Sequence, residues 1–324
     1  RPLAARAADN DPTVPRRAPG AGIGSTRRRV FRVTTRLPVV TVTYSPGDHL
    51  RTFIDTLPGS TTRPVGLVMA DNGSTDGAPE AAAAAHDFAE FLPTGGNLGY
   101  GTAVNRAVSE IASRPDRFDQ EFVLVVNPDV WFEPGSVDAL LAAAERWPRG
   151  GSFGPRIAES DGSVYPSARS VPRLGAGIGH AVLGPVWPGN PWTARYLDDA
   201  DMETERPAGW LSGSCLLLRR SAFDAVGGFD ERYFMYLEDV DLGDRLGRAG
   251  WQNVYVPSSV IHHDQGHSTK SVPEFTLRAH HRSAYLFQAD RHPRAWQAPI
   301  RWALRVGLEA RCRLAIRSAR RALR

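Results

Sequence analysis

Phe122-Val123-Leu124-Val125-Val126-Asn127-Pro128-Asp129 is an uninterrupted apolar, largely β-branched run that stops at three polar or turn-forming residues. A run of this kind reads as a strand buried on both faces, as in parallel sheets. Open α/β sheets bind ligands where their strands end. Asp129 is therefore expected at the mouth of a ligand crevice.

The chain on the amino-terminal side supports that reading. Residues 37–44 predict a first strand, closed by the Ser45-Pro46-Gly47 turn, and Asp48 is expected to cap a helix running to about Leu57. Residues 65–70 predict a second strand, which opens into Asp71-Asn72-Gly73-Ser74-Thr75-Asp76-Gly77 and then an alanine-rich helix at 81–85. A short third strand around Phe91-Leu92 leads to Gly95-Gly96-Asn97-Leu98-Gly99-Tyr100-Gly101 and a helix near 103–113. The rhythm is βαβ, and the glycines would let backbone approach a ligand closely. Gly99 and Gly101 follow the third strand and lack a further glycine at dinucleotide-binding spacing, so that fingerprint is unsupported.

Beyond Asp129 the pattern loosens. A helix is expected at 136–146, strands at 152–157 and 163–169, and a functional loop in the Pro/Gly/Trp-rich stretch 184–192. Residues 209–218 read as one strand with a glycine kink at its start, and 234–248 as a helix carrying Glu238, Asp239 and Asp241. Strand pieces at 253–256 and 260–261 end at His262-His263.

The 324 residues are 42% hydrophobic and 23% charged, enough for one large α/β domain with additions or two smaller ones. Cys215 in an apolar run and Cys312 in a basic one argue for two inert thiols in a reducing compartment. No stretch approaches the roughly 20 apolar residues of a membrane span. Charge is uneven. Residues 1–36 hold nine Arg against Asp9 and Asp11, residues 294–324 hold nine Arg against Glu309, and the whole chain nets +4, so the body between is acidic. A nucleic-acid-binding domain should be basic on its folded part, and no nucleic-acid partner is expected. Residues 1–36, without hydrophobic periodicity, read as a disordered leader. From Trp296 on, Ile300, Leu304, Leu308, Cys312, Ala315, Ala319 and Leu323 recur at helical spacing with arginines between them. Such a basic amphipathic helix can lie in a bilayer interface on anionic lipid, or pack on its own domain.

Four acidic residues could carry chemistry. Asp71 could accept the imide N–H of a pyrimidine base, or open the Asn72-Gly73 turn. Asp129 with one imidazole suits Mn²⁺ or Mg²⁺ completed by diphosphate oxygens and water, although an Asp after Pro is also an ordinary turn residue. Glu238 and Asp239 are adjacent, about 100° apart on a helix, so one faces the crevice squarely and could serve as a general base. The same pair would suit a helix amino terminus on dipole grounds alone.

Asp71 to Gly77, Asn97-Leu98-Gly99-Tyr100-Gly101, Asn127-Pro128-Asp129, Trp210-Leu211-Ser212-Gly213-Ser214 and Gly228 to Asp241 together resemble the inverting family 2 glycosyltransferases of GT-A fold, over about 37–292. The resemblance implies a Rossmann-like, mostly parallel sheet flanked by helices, with a nucleotide-binding half at 37–130, an acceptor-binding half at 131–292 and a basic helical extension at 293–324. It further implies that Asp71 contacts the base and that Thr43, Tyr44, Asn97, Gly99, Gly101 and Asn127 line the nucleotide. Asp129 and His263, with His262 as competitor, would hold Mn²⁺ or Mg²⁺. Asp239 would be the catalytic base, and Trp210, Ser212, Gly213 and Glu238 would shape the acceptor side. The family's Asp-x-Asp metal motif here begins with Asn127. Leu183-Gly184-Pro185, Asn190-Pro191-Trp192-Thr193 and Ala279-His280-His281 resemble the rhamnosyltransferases of actinobacterial cell-wall assembly. That narrower likeness implies a dTDP-L-rhamnose donor, a polyprenyl-diphosphate-linked N-acetylglucosamine acceptor, and a peripheral place on the cytoplasmic face of the plasma membrane, docked through residues 296–324. A UDP-sugar donor such as UDP-galactofuranose, and a non-catalytic binding module, are the alternatives.

Overall fold

The computed structural model describes residues 35–159, 162–172, 174, 201–263 and 273–322. The leader except for Thr35 and Arg36, the expected loop at 184–192 and the motifs at 183–185 and 190–193 lie outside the described residues. The first half runs β1 (Leu37–Thr43), α1 (Asp48–Thr56), β2 (Val65–Asp71), α2 (Ala78–Ala85), β3 (Ala89–Pro93), α3 (Tyr100–Ala112) and β4 (Phe122–Val126). It continues through β5 (Val130–Phe132), α4 (Ser136–Arg146), β6 (Gly150–Ala158), β7 (Val164–Tyr165), β8 (Ala168–Arg169), β9 (Arg206–Ala208), β10 (Trp210–Leu211), β11 (Cys215–Arg219) and α5 (Arg220–Ala225). Last come α6 (Glu238–Arg248), β12 (Gln252–His263), α7 (Pro273–Asp290) and α8 (Ala298–Ala322).

One sheet takes the order β3-β2-β1-β4-β11-β6-β12-β5, with β7 on β6 and β9 on β12. Its β3-β2-β1-β4 side is parallel, because each crossover carries a helix. β11 enters antiparallel between β4 and β6, and β12 is parallel to β6. Every residue of β4 is buried, as its unbroken apolar run requires. Leu124 and Val126 join Val39, Leu67, Phe53 and Leu140 on one face, whereas Val123 and Val125 join Val40, Val68, Val104 and Ile111 on the other. The period-two alternation of a strand thus feeds two cores at once.

Several boundaries differ from expectation. Residues 209–218 form two strands, because Ser212-Gly213-Ser214 turns between β10, paired with β8, and β11 in the main sheet. The expected helix at 234–248 starts only at Glu238, since Tyr236 and Leu237 adopt φ of 68° and 62°, left-handed values that no helix can contain. The strand pieces near 253–261 are one strand with a bulge between Val256 and Val260. α7, unread in the sequence, braces the segment before α6. Its Phe287 packs with Tyr233 and Val240, Ser283 Oγ donates to Met235 O at 2.9 Å, and Arg232 spans Asp230 and Asp290.

The amphipathic carboxyl-terminal helix forms, but its regular apolar stripe turns inward. Cys312 and Ile316 are buried, and Arg320 pairs with Glu274 at 2.5 Å, which sets α8 antiparallel against α7. Among the described residues no helix is long and apolar enough to cross a membrane.

Candidate active site

Strand ends bring the site together. β4 leads into Asn127-Pro128-Asp129, β11 begins beside it after Ser214, and β12 arrives antiparallel to β5 with His263 opposite Val130. Asn127 N donates to Ser214 O at 2.9 Å, fixing the two turns to one another. His263 Nε2 lies 3.1 Å from Asp129 Oδ1, and its Nδ1 lies 3.4 Å from Ser214 Oγ, which in turn sits 3.0 Å from Ser212 Oγ. Neighbouring strand residues face opposite ways. His262 accordingly leaves this site, stacking on Trp131 at 5.1 Å and reaching Glu133 at 2.8 Å.

Asp239 meets the same turn from the other side. Gly213 N donates to Asp239 Oδ2 at 2.9 Å, Val240 N donates to Asp239 Oδ1 at 2.8 Å, and Tyr100 Oη donates to Gly213 O at 3.0 Å. Ser212-Gly213-Ser214 is therefore a hub joining Asp129 and His263 to Asp239 and Tyr100. Burial raises the Asp239 carboxyl, and the N–H donors of Gly213 and Val240 and the positive Arg169 only partly offset it. Burial, then the neighbouring Asp239 charge, pushes Glu238 up to about 8. Asp239 has backbone donors for its anion, whereas Glu238 Oε2 is buried with no hydrogen-bond partner among the described residues. Asp239 ionises first, and its charge then holds the proton on Glu238. Burial and the charges of Glu238, Asp239, Cys215 and Asp129 hold the Tyr100 phenol well above its ordinary value, so it remains a donor.

The loops after β1 and β2 close the opposite rim. Asp71 accepts from Thr43 Oγ1 at 2.7 Å, Ser74 Oγ at 2.5 Å, and the Gly73 and Ser74 amides at 2.9 Å each. Burial alone would raise this carboxyl, and the donors of Ser74, Thr43 and Gly73 outweigh it and hold it below the ordinary range. A carboxylate has about four acceptor sites. All four are filled here, so a base N–H would have to replace one of these donors; the half-buried Ser74 hydroxyl, which also accepts from Ser45 N at 2.8 Å, is more accessible than the buried Thr43 hydroxyl. Thr43 is buried and Tyr44 exposed. Asn97 Oδ1 accepts from Gly99 N at 3.3 Å.

Gly99 and Gly101 flank Tyr100 at the start of α3. What their missing Cβ atoms admit is the chain itself: a Cβ on Gly99 would stand 2.9 Å from Phe234 Cα, and one on Gly101 2.8 Å from Phe229 Cβ. Tyr100 N also donates to Phe234 O at 3.0 Å. This contact presses residues 229–234 onto the start of α3 and so locates Asp239. Trp210 Nε1 donates to Ser170 O at 3.1 Å, and Trp210 packs with Val171 and Leu237 around Tyr233. His280 of the Ala279-His280-His281 motif lies on α7 against Tyr236, at 5.6 Å between ring centroids.

Tyr100 and Ser214 stand within the motifs read from the sequence without either being given a role of its own, and Arg169 is passed over there. A phenol between two glycines was the only signal for Tyr100, and nothing local marks Arg169, whose guanidinium reaches the site from β8 over Tyr165. A cavity of about 180 Å³ opens beside Asp129, lined by His49, Thr52, Val130 and Trp131. Asp129 and His263 converge as one oxygen and one nitrogen donor, and among the described residues no third His, Cys, Asp or Glu joins them. Two such donors fit a Mn²⁺ or Mg²⁺ ion that takes its other ligands from diphosphate and water.

Residues 39–227 match the family model for glycosyl transferase family 2, and residues 193–316 match that for glycosyl transferase family group 2. The chain belongs to glycosyl transferase family 2. The N-acetylglucosaminyl-diphospho-decaprenol L-rhamnosyltransferase of Mycobacterium tuberculosis (strain ATCC 25618 / H37Rv) is 57% identical to this glycosyltransferase over 293 residues, 89% of this chain and 95% of that one. Rhamnosyltransferase WbbL of Escherichia coli (strain K12) is 29% identical over 197 residues, 60% of this chain and 72% of its own length. Among solved structures, the mannosyltransferase PcManGT from Pyrobaculum calidifontis, in complex with GDP-Man and Mn²⁺, superposes with a TM-score of 0.51 at 18% identity, over 90% of this chain and 75% of that one. That likeness is one of fold. The family 2 glycosyltransferase has the expected GT-A architecture, its parallel half joined to an antiparallel extension.

Proposed function

We propose that this glycosyltransferase moves L-rhamnose from dTDP-L-rhamnose to a polyprenyl-diphosphate-linked N-acetylglucosamine, with inversion at the anomeric carbon. The observation that supports the sugar and the acceptor is 57% identity along nearly the whole length of a relative named for L-rhamnosyl transfer to N-acetylglucosaminyl-diphospho-decaprenol. The site supports the chemistry. Asp239, with one hydrogen bond on each oxygen, keeps a lone pair free to take the proton of the acceptor hydroxyl. That oxygen attacks the anomeric carbon on the face opposite the diphosphate, and one displacement inverts it without a covalent enzyme intermediate.

In this reading residues 37–130 form the donor half. Asp71 meets the base once the Ser74 hydroxyl turns aside, and Thr43, Tyr44, Asn97, Gly99, Gly101 and Asn127 border the nucleotide. Residues 131–292 form the acceptor half, with Trp210, Ser212, Gly213 and Glu238 beside the base. Asp129 and His263 would hold Mn²⁺ or Mg²⁺, which when bound neutralises charge on the departing diphosphate. The acceptor's lipid places the protein peripherally, on the cytoplasmic face of the plasma membrane where nucleotide sugars are supplied.

The test is release of nucleoside diphosphate from dTDP-L-rhamnose and, in parallel, from UDP-sugars, with Mn²⁺ or Mg²⁺ and a polyprenyl-diphospho-N-acetylglucosamine acceptor. Acceptor-dependent dTDP release, lost by a factor of at least about 100 in Asp239→Asn, is the expected result. Turnover of a UDP-sugar alone would overturn the rhamnose assignment, and normal turnover in Asp239→Asn would overturn the base.

A further inference from the structure

α8 has two faces, and they differ from what its sequence periodicity suggests. The regular stripe that includes Leu304, Leu308, Cys312 and Ala315 turns toward α7, with Cys312 3% exposed. The opposite face holds Trp302, 70% exposed, with Val306 at 48% and Leu314 at 61%, and Trp296 just before the helix is 67% exposed. At about 100° per residue, Trp302, Val306, Arg313, Arg317 and Arg320 share one sector, flanked by Leu314 and Arg321. Its amino-terminal half is apolar and its carboxyl-terminal half cationic.

We infer that this outer face, and not the periodic stripe, docks the protein on an anionic lipid surface. Large exposed indoles are uncommon on a soluble surface, and Trp is at home where an apolar ring meets a wet headgroup layer. Cations along the same face pair with anionic headgroups. Glu309 pairs with Arg313 at 2.9 Å and Glu274 with Arg320, whereas among the described residues no acid pairs with Arg317 or Arg321, so these two cations are left for headgroups. A second copy of the chain would bring a like-charged face and is disfavoured. The orientation is also useful. Arg320 pairs with Glu274 at the start of α7, where Phe275 packs on Phe234 at 5.5 Å, in the segment that leads to Asp239. The cationic end of α8 therefore stands at the crevice end of the helical hairpin. The inference rests on the exposure and charge of this face, and the proposed lipid-linked acceptor supplies only its purpose.

The experiment is flotation of the full chain with phosphatidylcholine vesicles, with and without phosphatidylglycerol, comparing wild type with Trp302→Glu/Val306→Glu and with Arg317→Gln/Arg321→Gln. Wild type should float with the anionic vesicles and detach as salt rises, and each double variant should bind at least about tenfold more weakly. Both variants should keep wild-type turnover on a short-chain, water-soluble acceptor, which shows that they are folded. Unchanged flotation of the Trp302→Glu/Val306→Glu variant overturns the assignment. So does a dimer of the wild type that this variant dissolves while flotation persists. A wild type that floats through Trp302 yet turns over no dTDP-L-rhamnose supports the surface and overturns the donor reading instead.

Discussion

At the scale of single residues the site is governed by which carboxylate has donors. Asp239 has two backbone N–H groups, and Glu238 has burial and its neighbour's charge. The Glu238 carboxyl rises from an ordinary 4.5 to about 8, so between those values the folded chain holds a proton that the unfolded chain releases. Stability must then fall as pH rises through that window. Glu238→Gln removes the titration, so the loss of unfolding free energy between pH 5 and 8, measured by urea denaturation, should shrink by on the order of 1–3 kcal/mol. An identical pH slope in the variant would refute the buried-proton picture. Tyr100→Phe tests the hub. Without the bond to Gly213 O, the Gly213 amide loses its fixed aim, Asp239 loses a donor, and the acid limb of kcat should move to higher pH while KM for the donor changes little. A lowered rate with an unshifted limb would show that Tyr100 serves packing alone. Asp129 was readable because a polar stop after five buried residues has one place to go. Asp71 was readable as a residue of interest, but only its four donors show how completely the turn occupies it.

At the scale of elements, legibility followed burial. β1, β2 and β4 were visible because strands buried on both faces have no polar phase to confuse the pattern. β5 and β9, three residues each, and β10, two residues, have too little sequence for a period to emerge. The late start of α6 was hidden because Tyr236 and Leu237 are not residues that advertise left-handed backbone. The contact between α3 and residues 229–234 was invisible for a related reason: a glycine that admits backbone looks the same as one that admits a ligand. Gly99 has φ of 85° with Phe234 against it, whereas Gly95 has φ of 82° with nothing within 4 Å of a Cβ. Gly95→Ala should cost only the left-handed strain, about 1–2 kcal/mol. Gly99→Ala should cost at least about 1 kcal/mol more, through displaced backbone, and should lower turnover by moving Asp239. Equal urea midpoints for the two variants would deny that the close approach positions the base.

For the whole molecule, the two cysteines report on how firmly its parts are held. Cys215 sits in β11, paired with β4 on one side and next to the β11 to β6 ladder on the other, so reaching its thiol means parting the central sheet. Cys312 is as well buried, yet only by the seam between α7 and α8, whose outer partner is solvent. Burial is therefore equal and opening cost is not, because a helix leaning on one neighbour can lift while the sheet stays intact. A thiol reagent in excess should modify Cys312 at least about tenfold faster than Cys215 under native conditions, and low urea should speed the first phase before the second. Cys312→Ser should remove the fast phase and leave the slow one unchanged. A single phase tracking global unfolding would mean that α8 is bound into the domain as tightly as the sheet itself, and that its exposed indoles sit on a rigid platform. Two phases would make α8 a separately opening element that can settle on a surface while the crevice at the strand ends keeps its shape.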